Sequence, residues 1–120
     1  MKLINITNHQ LTKEQRNEFD SVVEMPAGLK AEWAQVGHSE AHAERAASLV
    51  FDWMGQQDLE SARVAVQGHF GATYRLVRKI KSTPAFAVYA SSKRESVEET
   101  LPDGSVIKKT KFRHLGWNRY

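Results

Sequence analysis

Two short apolar runs, Ala62–Val66 and Ala85–Ala90, constrain the fold of this chain more than any other feature. A run as uniformly apolar as Ala85-Phe86-Ala87-Val88-Tyr89-Ala90 suits a strand covered on both faces, as in a parallel sheet. Between the two runs, Tyr74, Leu76, Val77 and Ile80 recur at helical spacing, and Ser82-Thr83-Pro84 ends that helix. Strand, helix and strand in that order make a crossover unit, and the rest of the chain repeats it. Leu3–Ile6 is β-like and Asn8-His9 follows as a turn. Thr12 can cap a helix there, with Gln15 three residues on returning the bond. Val22–Met25 is a further strand, stopped by Pro26. Gly28–Gly37 is a connection with a helical turn around Leu29 and Trp33. Ser39 caps a helix running to Gln57, whose apolar face is Ala43, Ala46, Ala47, Val50, Phe51 and Met54. The alternation predicts one α/β domain over residues 1–120, with a mostly parallel sheet and helices on both faces. The tail departs from it: Ser96–Thr100 and Ser105–Phe112 flank Leu101-Pro102-Asp103-Gly104, a C-terminal β-hairpin signal.

Composition narrows the chemistry. There is no cysteine, which excludes disulfides, thiolate metal sites and a cysteine nucleophile. The apolar runs fall short of the roughly 20 residues a membrane span needs, and Met1–Asn8 is too short in apolar residues for a signal peptide. A cytoplasmic protein is expected. Charge is divided unevenly: residues 1–62 carry five Lys/Arg against ten Asp/Glu, and residues 63–120 carry twelve against four. Such asymmetry fits an anionic partner, or else a solvated basic face.

Three polar strand ends are candidate site elements. Gln67-Gly68-His69-Phe70-Gly71-Ala72-Thr73 follows a buried strand and opens a helix. Its glycines permit close backbone approach, and Gly71–Thr73 would offer N–H groups and the helix dipole to an anion. A tight turn capped by Thr73 explains the same residues without a ligand. Asn8 and His9 end the first strand, and His9 can carry a proton near neutral pH. Ser91-Ser92-Lys93-Arg94 reads as a turn after the strand Ala85–Ala90, with hydroxyls and cations placed to clamp phosphate or to meet solvent. The final segment interleaves Lys111, Arg113, His114 and Arg119 with Phe112, Trp117 and Tyr120, a mixture that suits phosphates and stacked bases or a packed core. His38 and His42 lack a third ligand by local spacing, so no metal site is expected.

Taken in order, the segments Asn8-His9-x-Leu11-Thr12-x-x-Gln15, Gln67-Gly68-x-Phe70-Gly71-Ala72-Thr73-Tyr74, Tyr89–Arg94, Leu101–Ser105 and Phe112-Arg113-His114 resemble the small Csx-type CRISPR-associated proteins of type III systems, similar to the ring nucleases. The resemblance implies a Rossmann-like, CARF-like fold used as a homodimer, and cyclic oligoadenylate, with cyclic tetraadenylate first, as the ligand. It also implies cleavage of that ring without metal or cofactor, which ends an antiviral signal, and no DNA or membrane partner. Under this reading His9, Lys93, Arg94 and His114 are the catalytic candidates. Asn8, Gln67, Gly68, Phe70, Gly71, Ala72, Thr73, Ser91, Ser92 and Arg113 are the binding candidates. A non-catalytic sponge or sensor for the same ligand, or a single-stranded RNA-binding module, are the alternatives.

Overall fold

The computed structural model describes residues 1–120. Its elements are β1 (Lys2–Ile6), α1 (Lys13–Arg16), β2 (Ser21–Glu24), α2 (Ala27–Ala34), α3 (Glu40–Met54), β3 (Arg63–Val66), α4 (Phe70–Ile80), β4 (Phe86–Thr100) and β5 (Val106–Arg119). One five-stranded sheet has the order β2-β1-β3-β4-β5. The first three pairings are parallel and β4–β5 is antiparallel. The α/β class, the mostly parallel sheet and the C-terminal hairpin thus agree with expectation.

The pleat divides the strand residues between two unequal layers. Ile4, Ile6, Val64, Val66 and Ala87 face α2, α3 and α4, where Trp33, Ala47, Val50, Met54, Leu76 and Ile80 complete an 18-residue core. Each large aliphatic side chain buried there contributes about 1.5–3 kcal/mol. On the opposite face, Leu3, Ala65 and Val88 are covered only by Leu11 and by the half-buried Phe19, Val22 and Trp117. The expectation of helices on both faces is therefore corrected: three of the four share one face, and the four-residue α1 is the only helix on the other.

Several local readings hold in detail. Thr12 and Gln15 form a reciprocal capping box, and Ser39 caps α3 through the His42 N–H. Others are corrected. The connection after Pro26 is a full helix, α2, because Trp33 buries itself against the sheet and fixes it there. α4 begins at Phe70, not after Thr73, since the imidazole Nδ1 of His69 accepts the Ala72 N–H at 3.3 Å and caps it. Ser91–Arg94 is not a turn. It lies inside β4, which continues as a two-stranded ribbon with β5 to Thr100↔Val106. β3 leaves β4 at Val88, so the ribbon beyond has no third strand. The Cα radius of gyration is 17.0 Å, against about 14 Å for a compact chain of this length, because the ribbon stands clear of the body.

Gly68 answers to packing. A Cβ there would lie 2.7 Å from Nε1 of the fully buried Trp33, whose indole donates to the Gln67 carbonyl. Gly28 of α2 has no atom within 4 Å of its virtual Cβ. In urea denaturation Gly68→Ala is expected to cost about 1–3 kcal/mol by overpacking, whereas Gly28→Ala gains about 0.5–1 kcal/mol through helix propensity. Equal effects at the two sites would refute this packing role.

Candidate functional site

The largest concavity, about 800 Å³, opens on the thinly covered face at the carboxyl ends of β1, β3 and β4. In open parallel sheets this edge is where ligands bind, at the point where strand order reverses. Here the reversal falls between β1 and β3.

One wall is the loop from β1 to α1, and a buried polar network holds it. Asn5 and Thr7 are 1% and 5% exposed. Asn5 Nδ2 donates to Glu24 Oε2 at 3.0 Å and to the His9 carbonyl at 3.2 Å, and Thr7 Oγ1 donates to Asn5 Oδ1 at 2.8 Å. The His9 N–H returns a bond to Thr7 Oγ1, and Arg16 anchors the far oxygen of Glu24 at 3.2 Å. Every polar atom of a buried amide has to be matched or it is destabilising. The network therefore fixes the His9 backbone while its imidazole stays exposed at the cleft. Thr12 and Gln15 of the capping box line the same wall.

The floor and far wall come from β3, β4 and β5. The Gln67 N–H donates to the Ile6 carbonyl, and its own carbonyl accepts from Trp33, so its backbone is held on both sides while the residue lines the cleft. Tyr120 donates its hydroxyl to the Val66 carbonyl at 2.6 Å and meets Tyr89 edge-on at 5.0 Å between ring centres. Ser92, Phe112 and Trp117 form the wall on the ribbon side. No Lys, Arg, Asp or Glu lines the cleft, so its polar character comes from amides, hydroxyls and the His9 imidazole.

Of the catalytic and binding candidates, His9, Gln67 and Ser92 line the cleft, and so do the aromatic residues Phe112, Trp117 and Tyr120 of the final segment. Asn8 is exposed beside it. Gly68, Gly71, Ala72 and Thr73 are outside the lining. Gly68 meets Trp33, Gly71 fits closely against Ala43 of α3, and Ala72 belongs to the core of the helical face. Two of the N–H groups expected to cradle a phosphate are already bonded, that of Ala72 to His69 Nδ1 and that of Thr73 to the His69 carbonyl. Thr73 Oγ1 is buried within the helix without a partner. Phe70 is 93% exposed at the start of α4. His114 lies under α1: its N–H donates to Glu14, its Nε2 is 3.7 Å from Glu18, and its ring tilts against Trp117 at 5.4 Å. Ser91 Oγ accepts from Asn118. Lys93 and Arg113 are directly opposed across the ribbon, and Arg113 approaches Glu95 at 4.0 Å. Sequence reasoning missed Asn5, Thr7 and Glu24. The one sign of them was an amide in the middle of the apolar run Leu3–Ile6.

Fold and cleft together define an open-sheet α/β protein with a cleft at the switch point. The family model described as "Uncharacterized protein MJ1673 family" matches residues 1–118, and the chain belongs to that family. A relative from Methanocaldococcus jannaschii, called Uncharacterized protein MJ1673, is 23% identical over 125 residues, covering 99% of this chain and 96% of its own. No solved structure matches the chain. No helix is long and apolar enough to cross a membrane.

Burial first, and the charge of a neighbouring Tyr89 phenolate second, push the Tyr120 phenol above its ordinary value. A raised value means that the neutral phenol is favoured in the fold. Its stabilising contribution is present below the ordinary tyrosine value of about 10 and lost as pH rises through the higher folded value. The phenolate absorbance difference between wild type and Tyr120→Phe is expected to titrate above pH ~10. A midpoint at or below the ordinary value would contradict this placement of the C-terminal residue.

Proposed function

We propose that this protein binds cyclic oligoadenylate, cyclic tetraadenylate first, in the switch-point cleft and opens the ring as a metal-independent ring nuclease of CARF-like type. The cleft carries this reading: about 800 Å³ at the carboxyl ends of β1, β3 and β4, lined by aromatic rings and neutral hydrogen-bonding groups. Its size lies in the range of small-molecule sites, and its lining suits bases and riboses. The five ordered segments that resemble the Csx-type ring nucleases supply the particular ligand. A cyclic tetraadenylate has two-fold symmetry, so a homodimer presenting two such clefts would match it.

The chemistry needs no group that the chain lacks. A ribose 2′-oxygen attacks its adjacent phosphorus, the bond from phosphorus to the 5′-oxygen breaks, and a 2′,3′-cyclic phosphate and a free 5′-hydroxyl result. The 2′-proton leaves to a base and the 5′-oxygen gains one. His9 is the residue for that exchange, being the single imidazole in the cleft lining, on a backbone held by Asn5 and Thr7. Holding the 2′-oxygen in line with the scissile bond supplies a further share of the acceleration.

A second reading, a sponge that binds the ring intact, is favoured by the absence of any Lys or Arg in the lining. Without a cation at the phosphate, charge in the transition state is stabilised less.

Incubation with cyclic tri-, tetra- and hexaadenylate in chelator, followed by chromatography, separates the readings. The expected result is a linear product ending in a cyclic phosphate. His9→Ala is expected to slow its appearance about 100-fold or more, with binding retained. Stoichiometric binding with the ring left intact would leave the sponge, and binding of linear RNA in place of any ring would overturn both.

A further inference from the structure

A cleft without cations needs a positive group at its edge to hold a phosphodiester, and the root of the ribbon supplies one. Along β4 the residues Ala90, Ser92 and Arg94 share one face, because successive side chains alternate. Ala90 and Ser92 line the cleft, so Arg94 projects on the cleft side, one step up the ribbon. Its directly opposed partner on β5 is Phe112, which also lines the cleft and is nevertheless 74% exposed. Directly opposed residues bring their Cβ atoms to about 5 Å. No carboxylate takes up Arg94, whereas Arg113 and Lys109 on the other face approach Glu95 and Glu99. An aromatic ring left in solvent beside a cation without an ion pair, at the lip of a cleft lined by neutral groups, is a two-part receptor. The ring offers a stacking surface to a base, and the guanidinium offers paired donors to the phosphate next to it.

We propose that Phe112 and Arg94 form a base-and-phosphate subsite at the lip of the cleft, with Phe112 stacking a purine base and Arg94 holding its phosphate. The inference rests on the nucleotide-binding reading above and assigns the two parts of one nucleotide to two residues. The pleat makes it asymmetric. Lys93 and Arg113, adjacent in sequence to Arg94 and Phe112, point to the opposite face and take no part. The same holds for Lys111, which neighbours Phe112 and is paired with Glu95.

Binding of cyclic tetraadenylate and of linear 5′-phosphorylated oligoadenylate, followed by isothermal titration calorimetry, tests this without reference to cleavage. The measurements use the wild-type background, because the indole of Trp33 holds the Gln67 carbonyl in the cleft wall. Phe112→Ala is expected to weaken binding about tenfold or more and Phe112→Tyr to restore it. Arg94→Gln should weaken binding and lower the slope of log Kd against log salt by about one phosphate contact, and Lys111→Gln should leave that slope unchanged. Equal slope changes for Arg94→Gln and Lys111→Gln would mean general charge attraction and overturn the subsite, as would unchanged affinity in Phe112→Ala. If the parent protein binds neither probe, the nucleotide reading itself fails, a result distinct from either of these. Circular dichroism of each variant separates loss of the subsite from loss of the fold.

Discussion

Trp117 joins distant parts of the chain on the thin side of the sheet. Its ring covers Leu3, Ala65 and Val88 on the thin side of the sheet and meets Phe19 edge-on at 6.0 Å. Its indole N–H donates to the Gln15 carbonyl at 3.2 Å, closing a bond across 102 residues of sequence. A parallel sheet has to be covered on both faces, and the opposite face is already occupied by α2, α3 and α4. Without Trp117 the cover of β1, β3 and β4 on this side would shrink to Leu11, Phe19 and Val22, and α1 would lose the bond to its Gln15 carbonyl. The cleft is what remains where this cover stops, between α1 on one side and the returning strand β5 on the other. A short helix and a single indole cannot fill the area that three helices fill opposite. The cleft is a consequence of unequal layering.

Much of that layering was legible. Periodicity found α3 and α4 through Ala43, Val50, Leu76 and Ile80, and the capping residues Thr12 and Ser39 mark their helix starts correctly. The uniform apolarity of Ala85–Ala90 indicated a strand, and that strand is parallel to β3 on one edge, but it is antiparallel to β5 on the other and leaves Phe86 and Tyr89 exposed. Which face each helix takes is not encoded in periodicity, because an amphipathic helix shows only that it has an apolar side. The handedness and length of each crossover decide the face. The placement of α4 on the thick face is what carries Gly71–Thr73 out of the cleft while Gln67 stays in its lining.

The polar network behind His9 was hidden for a different reason. Asn5, Thr7, Arg16 and Glu24 come from β1, the loop after it, α1 and β2, and only the register Asn5↔Glu24 aligns them. A buried amide in a strand is destabilising unless its partners arrive from elsewhere. Asn5 therefore announced that partners existed without naming them. Once assembled, the network fixes a polar loop that holds one imidazole at the edge of a cleft lined by no Lys, Arg, Asp or Glu.

The segment Ser91–Arg94 misled because its composition is that of a turn while its pairing is that of a strand. Ser-Ser-Lys-Arg has little intrinsic preference for extended structure, yet hydrogen bonds to β5 hold it extended, with the irregularity between Ser91 and Ser92 taking up the additional residue Leu115 of β5. The difference matters chemically. In a turn, adjacent cations can converge on one anion. In a strand, neighbours at i and i+1 are on opposite faces, so Lys93 and Arg94 cannot act as one clamp. Cross-strand pairing replaces sequence adjacency as the rule for which groups cooperate. It sets Lys93 against Arg113, two like charges whose mutual repulsion is relieved only by Glu95 on the diagonal, and Arg94 against Phe112, a cation beside an aromatic ring with no charge to oppose it. The ribbon therefore sorts its charges by face, leaving one cation on the side of the cleft near its lip.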